Sequence, residues 1–367
     1  MSEQEQVSRV RQWVTLRNAS MDVRVGLGLS ETVARDLKSA IGRPHDCLLV
    51  HEAHAPEDLV RELSRGLADQ GFRIHVLQMP ECGRDLAAVE ALLALLAEAG
   101  ITSDDLVVAL GSTDALAVAG AACSWWCGGT SLAEVPLDLV AAVVAGVTPP
   151  ALDAAGAPRM LSLEGSARFS LVDVGLFGAD ASDERTRLAF ALMVATAMAD
   201  SDKAFARLWD GADDLVAGDP SRMVDQLADT IKSRGKIMAA TALATRQSIA
   251  YGQTFADALE AVVPGQVSAS ARLADGLRFA ARLSVAQESL DIDDMFAQDD
   301  LLERLGVGTC EVAVDPDALT EAIRAQRFAR SRRLMLALPR SIGRVRLATV
   351  DDAMLREHVA AWAGSRP

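Results

Sequence analysis

Aromatic residues make up only 4% of this 367-residue chain, with a single tyrosine, and histidine and cysteine number five each. The histidines (His45, His51, His54, His75, His358) are too few and too scattered to argue a Ser–His–Asp or Cys–His arrangement. The cysteines (Cys47, Cys82, Cys123, Cys127, Cys310) fall far short of a disulfide scaffold, which points to a reducing, cytoplasmic setting. Cys123 and Cys127 stand in an apolar helical run and are expected to be buried thiols. No run of about 18 uninterrupted apolar residues occurs, so no membrane span is expected. The start, MSEQEQVSRVRQWV, lacks the apolar segment of a secretory signal. A formal net charge of −15 argues against sequence-blind nucleic-acid binding, which needs a basic surface. No lysine lies between residues 44 and 202.

What is present is apolar and ordered. Half the residues are hydrophobic, enough for a large core and two domains. The first half alternates strand-like runs (DVRVG 22–26, CLLVH 47–51, RIHVLQ 73–78, DLVVALG 105–111, SLAEVP 131–136, FSLVDV 169–174) with amphipathic helical stretches. That alternation predicts a Rossmann-like, mostly parallel sheet with helices on both faces, and ligands in such folds collect at the carboxyl ends of strands. From about residue 184 onward the periodicity is helical throughout, so an α/β domain over 1–180 is followed by an all-helical domain over 181–367. The proline-bearing stretch VTPPALDAAGAPR (147–159) is the most broken segment.

Several segments carry candidate chemistry. HEAH (51–54) holds two imidazoles and a carboxylate, but no second pair lies downstream to complete a metal site. GSTDALA (111–117) follows a buried strand and opens a helix, where a phosphate-cradling loop would sit. Only Gly111 and Gly120 are glycines in LGSTDALAVAG, and Asp114 would repel a pyrophosphate, so a plain capped helix start competes with that reading. WWCGG (125–129) suits packing or a dimer contact, with ligand stacking as the alternative. Arg327, Arg330, Arg332, Arg333, Arg340, Arg344 and Arg346 either hold a phosphate or carboxylate or form a solvated basic edge. In YGQTFADALE (251–260), Gln253 and Asp257 share one helix face, yet an amide and a carboxylate are a weak pair for a transition metal.

The order of these segments, and above all YGQTFADALE followed by GLRFAARLS and a closing RSIGRVRL, resembles 3-dehydroquinate synthase, of the sugar-phosphate cyclase family. The resemblance runs over about residues 22–363. It implies a Rossmann-like NAD-binding domain, a helical domain holding zinc or cobalt, a homodimer, and cyclisation of a seven-carbon keto-sugar acid phosphate with loss of phosphate. The residues that carry this chemistry are altered. Gln253 and Asp257 stand where the family's GHTxGHAxE helix has histidines; SASA (268–271) stands for its HGE motif; the AExxK run that supplies a glutamate ligand falls on the apolar stretch from Ala191 to Val194. The GGGxxGD loop reads GSTDALA, a threonine pair reads Leu137-Asp138, a later aspartate and Gly-Gly-Lys fall on Val144 and Thr148-Pro149-Pro150, and a further basic position falls on Gly128. Glu81 and Arg84 match a Glu–Lys pair at the cofactor's nucleoside end, with Gly111 left in the loop; Arg246, Arg327 and Arg330 match anion-contacting positions. The resemblance thus implies a relative with no catalytic residues in place and no tightly bound NAD or metal, which keeps a binding or assembly role and room for a small anionic ligand. The alternatives are 3-dehydroquinate synthase activity through a rearranged site, or a changed enzyme acting on a related sugar phosphate. Asp257 is expected to bond an arginine or a backbone donor, or to face water.

Overall fold

A computed structural model of the chain describes residues 9–41, 45–80, 83–162, 167–178 and 180–367. It divides into two compact units, Met1–Gly178 with Met223–Ile231, and Ala179–Arg222 with Lys232–Pro367.

The first unit runs β1 (Val10–Thr15), β2 (Ser20–Gly26), α1 (Ser30–Ile41), β3 (Asp46–His51), α2 (Glu57–Asp69), β4 (Arg73–Gln78), α3 (Leu86–Glu98), β5 (Leu106–Gly111), α4 (Thr113–Trp125), β6 (Ser131–Pro136), α5 (Leu139–Val144), β7 (Ala151–Ala154), β8 (Ala157–Ser162) and β9 (Phe169–Asp173). Seven strands form one sheet in the order β1-β2-β9-β6-β5-β3-β4. Only the β1–β2 pair is antiparallel; the other neighbours run parallel. β5 is buried along its whole length, as a central strand covered on both faces must be, and this explains its unbroken apolar run. One core cluster joins Val33 and Leu37 of α1 and Leu59, Leu63 and Leu67 of α2 to Cys47, Leu49, Leu106, Val108 and Leu110 of the strands.

Three features of this unit differ from the sequence expectation. β1 is a half-exposed edge strand whose mixed pattern, VRQWVT, carries little signal. The stretch 147–159, expected to be irregular, contributes to the β7–β8 hairpin. Cys127, expected to be buried, is exposed in a tight turn with φ 52°, whereas Cys123 is buried in α4. Of the neighbouring tryptophans, Trp125 is exposed, and Trp126 is half-buried with its indole N–H donating to Ile101 O at 2.7 Å.

The second unit is built mainly from α6 (Glu184–Asp200), α7 (Asp202–Asp210), α8 (Ala212–Val216), α9 (Pro220–Ala239), α10 (Leu243–Arg246), α11 (Gln253–Val262), α12 (Ala269–Ala286), α13 (Ile292–Arg304), α14 (Pro316–Phe328) and α15 (Asp352–Gly364). Residues 223–231 of α9 belong to the first unit. A two-stranded hairpin, β10 (Met335–Ser341) and β11 (Arg344–Thr349), is also present; the arginine-rich stretch folds into it and into the end of α14. α6 and α12 are buried nearly all round, which accounts for their Ala-, Leu- and Met-rich sequences. Part of the acidic excess serves as helix caps: Asp183, Asp219, Asp291, Asp315 and Asp351 each accept a backbone N–H at a helix start, and Pro220 and Pro316 follow two of them in the first turn. No helix among the described residues is long and apolar enough to cross a membrane.

Candidate functional site

In the first unit the carboxyl ends of β3, β5 and β6 lie side by side, and the loop Gly111–Thr113 opens α4 there. Ser112 is the N-cap residue, but its hydroxyl makes no capping bond. Its backbone N–H instead donates to Glu52 Oε2 at 3.0 Å. Glu52 follows β3 and is held by its own N–H donating to Leu110 O at 3.1 Å. Gly111 is required here by space: a Cβ would lie 2.6 Å from Ala115 Cβ and 3.2 Å from Glu52 Oε2.

Arg84 reaches the same loop. Its guanidinium donates to Asp114 Oδ1 at 2.9 Å, in the first turn of α4, and to Asp153 Oδ1 at 3.0 Å on β7. Burial works against the Asp153 carboxylate, but the Arg159 backbone N–H and Arg84 hold its pKa below the ordinary value. Glu81, the other residue matched to the cofactor's nucleoside end, lies outside the described residues. Of that pair, then, Arg84 is seen, engaged by two carboxylates of its own chain. A dinucleotide's phosphates would need the Ser112 N–H and a loop free of negative charge; Glu52 holds the first and Asp114 denies the second. The residues present do not fit that group.

One polar residue here escaped notice in the sequence. Glu134 of β6 is 3% exposed, and its Oε2 has no hydrogen-bond partner among the described residues. Burial pushes its pKa up to about 8. The oxygen lies over Gly146, where a Cβ would come within 3.1 Å of it, and the strand neighbours in register are Ala109 and Ser170. The signal was a lone acid within the apolar strand SLAEVP.

The second unit holds the remaining candidates. α11 starts at Gly252, in the left-handed region at φ 76°. It meets α12 at Gly276, where a Cβ would stand 2.1 Å from Gly252 O, so these backbones touch only because both residues are glycine. One turn into α11, Gln253 Nε2 donates to Asp257 Oδ1 at 2.9 Å. Both side chains are half-buried. The donor in this bond is the side-chain amide of the i−4 neighbour, and Asp257 keeps part of its surface toward water. Ala191 is fully buried in α6 amid alanines, methionines and valines.

An acid does reach the SASA segment, from two helical turns before Ala191. Glu184, at the start of α6, accepts the backbone N–H of Ser270 and its hydroxyl, each at 2.7 Å. Among the described residues, no three or more His, Cys, Asp or Glu side chains gather so as to hold a metal ion. A divalent cation does not fit the residues present at Gln253, Asp257 and Ala191, since an amide, a carboxylate and a methyl group offer one good ligand.

The three arginines differ. Arg246 Nη1 donates to Ala240 O at 2.7 Å and Thr241 O at 3.0 Å, closing the turn after α9. Arg330 is exposed and donates to the Gln326 carbonyl at 3.0 Å. Arg327 is half-buried, its Nε is buried without a hydrogen-bond partner among the described residues, and desolvation and the neighbouring Arg330 charge hold its pKa below the ordinary guanidinium value.

No protein-family model matches the chain. The 3-dehydroquinate synthase of Rhodopirellula baltica is 23% identical over 367 residues, covering 96% of both chains. The chain is 3-dehydroquinate synthase-like, with a sugar-phosphate cyclase fold. A solved 2-deoxy-scyllo-inosose synthase, complexed with carbaglucose-6-phosphate, NAD+ and Co2+, superposes with a TM-score of 0.84 at 16% identity, over 96% of this chain and 99% of that one. The 2-epi-5-epi-valiolone synthase of Streptomyces hygroscopicus subsp. jinggangensis 5008, with NAD+ and Zn2+ bound, does so at 0.79 and 17% identity, with the same coverage. At these identities the two structures establish the fold of the 3-dehydroquinate synthase-like chain and leave its chemistry to its own residues.

Proposed function

We propose that this 3-dehydroquinate synthase-like chain has no metal- and NAD-dependent cyclase activity and serves as a binding or assembly protein built on the cyclase scaffold. The observation that carries this reading is the Gln253–Asp257 hydrogen bond, which ties together the two side chains standing at the family's histidine positions. Cyclisation of the family's kind requires a cation to polarise the substrate and a cofactor to oxidise it transiently. Three ligand positions reading the Gln253 amide, the small side chains of SASA (268–271) and the Ala191 methyl leave the cost of dehydrating a cation uncompensated. In this reading the protein is a homodimer working in the cytoplasm. The test is elemental analysis of the purified chain with an assay on the seven-carbon heptulosonate phosphate. Substoichiometric zinc and cobalt with no turnover is the expected result; one equivalent of tightly held metal, or turnover, sinks the proposal.

A second reading is favoured by Arg327. A half-buried guanidinium whose Nε lacks a partner among the described residues, beside a second arginine, suits a small phosphate or carboxylate. The chain would then bind, or act on, a related sugar phosphate without the family's cofactors. A thermal-shift series with sugar phosphates separates this from a purely assembling role: stabilisation lost in Arg327→Ala supports it, and no shift with any of them removes it.

A further inference from the structure

We infer that the chain's own carboxylates, Glu52 and Asp114, act as a built-in plug of the loop after β5, standing where a dinucleotide's phosphates would bind and keeping that class of ligand out. This deepens the reading above and rests on it. A phosphate at a helix start takes backbone N–H groups aimed out of the first turn and is favoured by the helix's positive end. Glu52 takes one of these N–H groups here, since that of Ser112 donates to its Oε2, and the bond sets its charge against the start of α4. The side chain is delivered by a fixed backbone, since the Glu52 N–H donates to Leu110 O and its carbonyl accepts the Ala55 N–H, each at 3.1 Å. The Ser112 hydroxyl makes no cap of its own, and Glu52 takes the N–H of that N-cap residue. On the other side of the loop Asp114 adds a second negative charge, kept in place by Arg84, which Asp153 anchors in turn. An incoming pyrophosphate would have to displace one carboxylate and sit beside another.

The test is calorimetric titration of the full-length chain with ADP-ribose and with NAD+, at low salt, alongside the Glu52→Ala/Asp114→Asn double variant. The native chain should give no saturable binding up to about millimolar ligand, whereas the folded double variant should bind ADP-ribose at least about tenfold more tightly, and less so as salt rises. Glu52→Gln/Asp114→Asn, which keeps side-chain size and removes both charges, carries the comparison if the alanine variant does not fold; a gain of about threefold is expected there, because the amide oxygen can still accept the Ser112 N–H. Micromolar NAD+ binding by the native chain would overturn the plug and the reading beneath it together. Folded variants that bind no more tightly than a non-binding native chain would overturn the plug alone.

Discussion

The two units hold their polar groups differently. In the α/β unit the candidate site gathers charges around the loop after β5: Glu52 on the Ser112 N–H, and Arg84 between Asp114 and Asp153. The helical unit keeps many of its polar groups inside. Asp275 is fully buried and accepts the Cys310 N–H, the Trp362 indole N–H and an Arg366 N–H, tying α12 to α15, and Tyr251 donates to Leu277 O at 3.2 Å. Residues that keep α11 and α12 together, Gly252, Gly276 and Tyr251, are distinct from Gln253, Asp257 and Ser270, which stand in the segments matched to the family's metal-binding motifs.

The largest effect that would sharpen this comparison is expected from Gly276→Ala. Its methyl would overlap Gly252 O, with backbone rather than a flexible side chain in the way, and α11 would have to lift from α12. A loss of roughly 4 kcal/mol is expected in urea denaturation, confined to the helical unit. Protection of α/β-unit amides that falls to the same degree would show that the units do not respond separately.

Glu134 provides the corresponding weak point of the α/β unit. Its pKa is raised from the ordinary 4.5 to about 8, so the folded chain holds a proton that the unfolded chain has released. Stability from this group is therefore complete below pH 4.5, falls as pH rises, and levels off above about 8. The span corresponds to roughly 3–4 kcal/mol after some local relaxation. Glu134→Gln should flatten that slope in denaturation midpoints measured between pH 5 and 9. An unchanged slope would mean that the carboxyl finds water or a partner on ionising.

A smaller loss, about 1–2 kcal/mol, is expected for Ser270→Ala, which removes the hydroxyl bond to Glu184 and leaves the backbone bond in place. Glu184→Gln in the same background should then add little, because the two act through one contact. The smallest effect, below about 1 kcal/mol, is expected for Gln253→Ala, since Asp257 is half-buried and within reach of water. A loss as large as that of Gly276→Ala would mean that Gln253 does support the scaffold.

Much of the α/β unit was legible because its strands are central. CLLVH and DLVVALG are covered on both faces, so each reads as a nearly unbroken apolar run, and FSLVDV carries apolar residues around Ser170. β1, β7 and β8 were not, because an edge strand and a short hairpin lack that covering and carry mixed side chains. The apolar heart of β10, LALP, was masked by the arginines around it. Cys127 was misread because a helical run was extended past Trp125, where Gly128 and Gly129 in fact end it in a turn. In the candidate site, the identities at 191, 253 and 257 already excluded three good metal ligands. The partners taken by the replacements were not legible: Glu184 with Ser270 joins residues 86 apart, and Glu52 with Ser112 residues 60 apart.

What the sequence by itself determined is the periodicity of each segment, and with it an alternating half and a helical half. It also determined which chemical groups are on hand, since a side chain's capacity to ligate is a property of the residue. Only the tertiary structure decided what those groups do. Whether a carboxylate is a ligand, a cap or an uncompensated burial depends on the donors within about 3 Å of it, and folding, not neighbourhood along the chain, brings those donors together.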